Sequence, residues 1–156
     1  MKTIGLIGGI TWHSTLDYYR LLNEMVNEKL GGVHSAKIIL SSVDFAEIKT
    51  LTLAEDWDAI AELIGKASKE IETAGAGCLV ICANTMHNIA HKVKEMVSIP
   101  IIHIADAAGT AIQEKGLKKV ALLGTKYTMQ MDFYKDRLAE QGISVFIPAE
   151  EDIEFI

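Results

Sequence analysis

Cysteine and proline are scarce in this sequence, two of each in 156 residues. Two cysteines do not make a disulfide-stapled secreted scaffold, so both are expected to be free and the reducing cytosol is the default compartment. Two prolines beside twelve glycines exclude a collagen-like chain and argue against a disordered one. Excess positive charge is missing as well. Fifteen Lys and Arg against 21 Asp and Glu give a net charge of −6 and a pI near 5.3, which speaks against nucleic acid or an anionic membrane as partner. Small molecules are the better expectation. No apolar run approaches the ~20 residues that cross a bilayer. The first twelve residues faintly mimic a signal peptide, but no small-residue cleavage pattern follows and Asp17 and Arg20 come soon after, so they read as a buried strand. Low-complexity tracts and short-period repeats are absent.

What is present is the balance of a packed protein, with 49% hydrophobic and 23% charged residues. The length suits one domain, or one and the opening of another. Thr3-Ile4-Gly5-Leu6-Ile7 is a short apolar run closed by Gly8-Gly9, the pattern of a strand buried on both faces that ends in a tight turn. A helix capped by Ser14 should follow, ending at Gly31-Gly32. Ala36 to Val43 reads as a second strand, after which Asp44 and Phe45 open a loop. From Leu53 to about Thr73 one long amphipathic helix is expected, with Ile60, Leu63, Ile64, Ala67 and Ile71 on its apolar face. Strands follow at 77–82, 100–104, 119–123 and 143–147, with helices at 86–97, 107–115 and 128–141 between them. Alternation at this spacing implies βαβ units, hence an α/β fold with a mainly parallel sheet covered by helices on both faces. After the sixth strand, a charged segment from Glu150 to Ile156 leaves that strand uncovered, so the sequence reads as a fragment.

In parallel sheets ligands collect beyond the carboxyl ends of the strands. Four turns fall there: Gly8 to Ser14, Ser41 to Phe45, Cys82 to His87 and Gly124 to Met129. They are rich in small hydroxyl and amide side chains, which suit a carboxylate or phosphate without much net charge. Ser14, Asn84 and Thr128 are equally good helix caps, and both readings stand. The glycines do not fit G-x-G-x-x-G, and no P-loop is present. His87 and His91 have zinc-ligand spacing, but Asn88 replaces the acid of H-E-x-x-H and no third ligand is evident, so surface helix histidines are expected, with His87 near the rim, and no metal. Cys78 and Cys82 lie about 13 Å apart along a strand and cannot be bridged. Cys78 reads as a core residue. Cys82 sits at a helix start that would favour its thiolate, or else is buried and inert.

Five segments together resemble the aspartate/glutamate racemase family: Ile4-Gly5-Leu6-Ile7-Gly8-Gly9-Ile10, Ser42-Val43-Asp44-Phe45, Cys82-Ala83-Asn84-Thr85-Met86-His87, Ile102-His103-Ile104-Ala105-Asp106 and Leu123-Gly124-Thr125-Lys126-Tyr127-Thr128-Met129. They agree in order and spacing along essentially the whole chain. The resemblance implies a cofactor-independent amino-acid racemase of two similar α/β halves, each supplying one catalytic residue to a site between them. One group removes the α-proton of an acidic amino acid and the other returns a proton on the opposite face. It also implies a homodimer, residues 1–98 as the first half and 99–156 as the beginning of a second. Ile10, Thr11, Asn84, Thr85, Met86, Thr125 and Thr128 are the substrate-binding positions so implied.

Two departures from the family pattern stand out. The first catalytic position, a cysteine or in one subgroup a threonine, is Ala83 here, and a methyl group transfers no proton. Cys82 is its neighbour and a substitute candidate, although consecutive strand side chains point to opposite faces. The family's second cysteine, in a Gly-Cys-Thr-Glu segment, is not among these residues. The leading expectation is therefore an impaired racemase-type isomerase. A non-catalytic dicarboxylate-binding module and a maleate- or hydantoin-type isomerase are the alternatives.

Overall fold

The computed structural model describes all residues from Met1 to Ile156. Six strands and eight α-helices follow in the order β1 (Ile4–Gly8), α1 (Trp12–Leu30), β2 (Ile38–Ser42), α2 (Phe45–Leu53), α3 (Trp57–Thr73), β3 (Cys78–Ile81), a 3₁₀ turn (Thr85–Ile89), α4 (Ala90–Met96), β4 (Ile101–Ile102), α5 (Ile104–Glu114), β5 (Lys119–Ala121), α6 (Lys126–Gln130), α7 (Asp132–Glu140), β6 (Ser144–Phe146) and α8 (Glu150–Phe155). They form two compact units, residues 1–83 with 89–102, and residues 84–88 with 103–156.

In the first unit four parallel strands lie in the order β2-β1-β3-β4. β1 is hydrogen-bonded on both sides, and its Leu6 and Ile7 are fully buried, as expected of a strand with no solvent face. Helix α3 lays Ile60, Ile64, Ala67 and Ile71 against β1, β2 and α4. Each of these isoleucines contributes about 1.5–3 kcal/mol by leaving water. A Cβ on Gly5 would run into the Ile71 side chain, so β1 lacks a side chain where α3 comes nearest. Glu72, near the end of α3, accepts from the backbone N–H groups of Ser98 (2.8 Å) and Ile99 (3.2 Å) and so pins the chain entering β4. Those bonds and Lys69 hold its carboxyl below the usual range, Lys69 contributing most.

In the second unit β5 and β6 form a separate parallel pair. Helix α5 packs on α7, where Arg137 Nη1 meets Asp106 Oδ2 at 2.6 Å and Gln113 Nε2 donates to the Gln141 carbonyl at 2.8 Å. Met129, Leu138, Ile143 and Ile153 are buried.

The α/β class and the parallel pairing are as the sequence implies, but several boundaries differ for physical reasons. The long helix expected from Leu53 is two helices. The chain breaks at Ala54–Asp56, where Glu55 takes a φ of 54° and the Asp56 carboxylate caps α3 by accepting from Ala59 N–H at 3.0 Å. Asp44, expected to open a loop, instead caps α2 through Ala46 N–H at 3.0 Å. The strand expected at 100–104 stops after Ile102 because His103 caps α5. The helix expected over 128–141 is α6 and α7, separated by an extended Met131. The strands form two sheets in place of one.

Gly9 is where the fold is least forgiving. Its φ is +85°, and a Cβ there would collide with the carbonyl and amide of Val43, the residue whose N–H donates to Gly8 C=O at 3.0 Å. Gly9→Ala is expected to cost about 2–4 kcal/mol by combining a disfavoured backbone with a backbone clash. A urea midpoint within error of the wild type would contradict this.

Candidate functional site

The carboxyl ends of β1, β2 and β3 are held level by backbone bonds that outlast the strands. Cys82 N–H donates to Ile7 C=O at 2.9 Å, and Val43 N–H to Gly8 C=O at 3.0 Å. The first turn of α1 is tied to the same ends. Thr15 Oγ1, buried, accepts from Gly9 N–H at 3.1 Å, and Ser14 Oγ lies 3.0 Å from Thr11 C=O and 2.6 Å from Cys82 C=O. A hydroxyl has one hydrogen to give, and the shorter contact directs it to Cys82. Ser14 is therefore not the expected helix cap. Thr11 occupies the cap position without a side-chain cap bond. Its φ of 55° is strained for a β-branched residue by about 1–3 kcal/mol. Thr11 is exposed and Ile10 is buried.

Ala83 is half-buried and follows Cys82, which has no exposed surface. The Cys82 thiol is not made acidic by a helix start, contrary to the electrostatic expectation. Burial pushes it up to about 12, because a thiolate without solvent is penalised. The residues after it form a five-residue 3₁₀ turn rather than a long helix, so there is little aligned dipole to offset that cost. Cys78 is half-buried, and both cysteines are free.

In the second unit Asn84 is exposed, Thr85 half-buried and Met86 buried. The Asn84 carbonyl accepts from His87 N–H at 3.0 Å and from the His87 ring Nδ1–H at 3.2 Å, which closes the turn and leaves the Asn84 side chain outward. His87 is not a surface histidine: it is only 2% exposed. Thr125 caps α6, its Oγ1 lying 3.4 Å from Thr128 N–H and 3.2 Å from Thr128 Oγ1. Of the two threonines, Thr125 is exposed and Thr128 buried, so Thr128 props the hydroxyl that faces solvent. The Asn84 amide and the Thr85 and Thr125 hydroxyls are neutral donors of the kind that hold a carboxylate. No three or more His, Cys, Asp or Glu side chains converge as a metal cluster would require, and His91 is exposed.

The residue that sequence reasoning missed is His103. It was absorbed into a strand, yet it is 5% exposed, its Nδ1 accepts from Ala105 N–H at 3.2 Å, and its ring meets that of His87 edge-on with centroids 4.6 Å apart. The signal available was a polar residue followed by Ile-Ala-Asp, a helix start with an acid in the first turn.

The Cys82 environment has a measurable consequence. In the folded protein Cys82 should resist a thiol reagent at about pH 8 and react only on unfolding. Because the unfolded thiol ionises near 9.0 and the folded one near 12, the folded state holds the extra proton. Its stabilising effect is complete below pH 9 and declines as pH rises toward 12. Rapid labelling of Cys82 in the native state would contradict the buried assignment.

Comparison with known proteins places the chain. A Yersinia pestis protein assigned provisionally to the Asp/Glu racemases matches 99% of this chain at 47% identity with a TM-score of 0.95, over 67% of its own length. An aspartate racemase homologue from Pyrococcus horikoshii OT3 matches 99% at 38% identity and a TM-score of 0.88, over 68% of its length. Glutamate racemase from Aquifex pyrophilus shares the fold, with a TM-score of 0.64 at 19% identity over 57% of its length. The chain thus spans about two thirds of the two more similar proteins. Residues 7–156 match the model of the Asp/Glu/hydantoin racemases, and the chain belongs to that family of isomerases.

Proposed function

We propose that this protein binds an acidic amino acid through its α-carboxylate in a racemase-type site that uses no pyridoxal phosphate and whose first proton-transfer position is vacated. The observation that carries the reading is the family match over residues 7–156, joined to an outward-facing Asn84 and Thr125 at the two turns the sequence singles out. Asn84, Thr85 and Thr125 donate to substrate carboxylate oxygens, Thr128 orients Thr125, and Met86 completes the binding positions of the second unit; the family resemblance adds Ile10 and Thr11 in the first. In this reading residues 1–98 belong to the first half and 99–156 open the second, and the working form is a homodimer in the cytosol.

The chemistry requires a base within reach of the α-carbon and donors around the carboxylate, where charge accumulates once the proton leaves. Ala83 occupies the base position and cannot accept a proton. Cys82 does not take over, since its thiol is buried and protonated through neutral pH. These two facts favour the second reading, a dicarboxylate-binding protein with little or no turnover.

Exchange of the α-proton for deuterium in D₂O, followed on L- and D-aspartate and L- and D-glutamate, separates them. The protein as it stands is expected to bind with negligible exchange. Ala83→Cys should raise exchange on one enantiomer by about tenfold or more, each factor of ten being ~1.4 kcal/mol of barrier. A single base returns deuterium to the face it deprotonated, so exchange without racemisation is the outcome expected of one restored group. Intact binding with no exchange in Ala83→Cys would remove position 83 from the mechanism. Asn84→Ala and Thr125→Ala should each weaken binding by about tenfold; unchanged titration calorimetry in both would reject the carboxylate assignment.

A further inference from the structure

His87 and His103 meet inside the second unit, far apart in sequence and both shielded from solvent. The His103 ring is held at two points. Its Nδ1 accepts from Ala105 N–H at 3.2 Å, which fixes the neutral tautomer, since a nitrogen that accepts cannot carry the hydrogen. The hydrogen therefore sits on Nε2, and the ring's second hold is its edge-on contact with the His87 ring, centroids 4.6 Å apart. One imidazole thus joins the first turn of α5 to the turn that carries Asn84 and Thr85. The same turn is closed from within by the two bonds onto the Asn84 carbonyl.

We propose that His103 is a positioning residue for substrate binding: in its neutral, Nε2–H form it clamps the 84–88 turn to α5 and so sets the direction of the Asn84 and Thr85 donors. The proposal rests on the reading of those two residues as carboxylate ligands, and it adds a proton-controlled hold on them. Protonation would place a second donor hydrogen on Nδ1, facing Ala105 N–H, and a positive charge at the positive end of α5. The surrounding groups weigh mainly against that charge. His87 faces the ring from the 84–88 turn and Arg137 from α7, and both oppose protonation; Asp106 on α5, itself paired with Arg137, favours it, as does the His87 carbonyl. Burial dominates, and the ring titrates near 4 rather than 6.5. A depressed imidazole stabilises the fold above pH 6.5, and that contribution is lost as pH falls toward 4.

His103→Asn separates the clamp from the cap. Asparagine is among the best N-caps, so α5 keeps its start, but the side chain has no ring to pack against that of His87. Three measurements on the full chain decide the matter. Imidazole ¹⁵N shifts of the wild type at about pH 7.5 should show His103 as the Nε2–H tautomer; the Nδ1–H tautomer or a charged ring would overturn the proposal without any variant. Amide hydrogen exchange in His103→Asn should speed up by about tenfold or more at residues 84–88 while α5 stays protected. Unchanged exchange there would also overturn it. L-Aspartate affinity should fall by about tenfold in the variant at pH 7.5 with little change in thermal midpoint, and should fall in the wild type as His103 becomes charged at acid pH. Equal affinity and an equal pH profile in both proteins would reject the positioning role. If the wild type binds neither aspartate nor glutamate, the functional reading fails, while tautomer and amide exchange still judge the clamp.

Discussion

The arrangement depends on β1 being hydrogen-bonded along both edges and then stopping at two glycines. Its register with β2 and β3 brings Ile7, Ser41 and Ile81 to one level, and the added bonds from Val43 and Cys82 extend the pairing beyond it. A strand fixed from both sides has no freedom to slide, because a one-residue slip would exchange its two buried faces and bring a side chain to the place where Gly5 now meets Ile71. The direction in which the chain leaves each strand is thereby fixed too. Gly9 must turn immediately, since Val43 backbone occupies the space any side chain would need. Ser14 then reaches the Cys82 carbonyl from α1, so the exit of β3 is held from a second direction. The position of Ala83 follows Cys82, whose N–H and C=O are both held by these constraints.

Neutrality is the second theme, and it follows from burial. Cys82 and His103 are both ionisable and both out of water, and in each the charged form is the one penalised, the thiol rising and the imidazole falling. One ion pair, Arg137 with Asp106, lies beside His103; others are on the surface. Arg20 with Asp17 and Glu24, and Lys92 with Asp58, lie on exposed helices, where such pairs contribute little. In the proposed reading a carboxylate is received by amide and hydroxyl dipoles rather than by a charged group.

The fold was legible in the sequence because its signals are local and repeated. A short apolar run ending in Gly-Gly, a 3.6-residue apolar stripe from Ile60 to Ile71, and alternation of the two are enough to specify α/β. Boundaries were less legible where one polar side chain overrides a pattern. Asp44, Asp56 and His103 each accept from a backbone N–H and start a helix, and hydrophobic periodicity carries no information about that. Division of the strands between two sheets was also hidden, since it lies in which strand β4 and β5 each pair with, and local sequence carries no record of that.

Parts of the proposed site are suggested by the sequence for a different reason. Asn84, Thr85, Thr125 and Thr128 are recognisable by type at strand-end turns, but exposure is a property of packing, and only the coordinates divide Thr125, which faces solvent, from Thr128, which stands behind it. Cys82 shows the limit most clearly. Its neighbours leave two readings open, a thiol buried and inert or one activated by a helix start, and the second needs an extended run of aligned peptides and access to water. Neither is present: the turn that follows is 3₁₀ and five residues long, and the sulfur has no exposed surface. Sequence specifies which groups can ionise, whereas the depth at which the sheet places them decides whether they do.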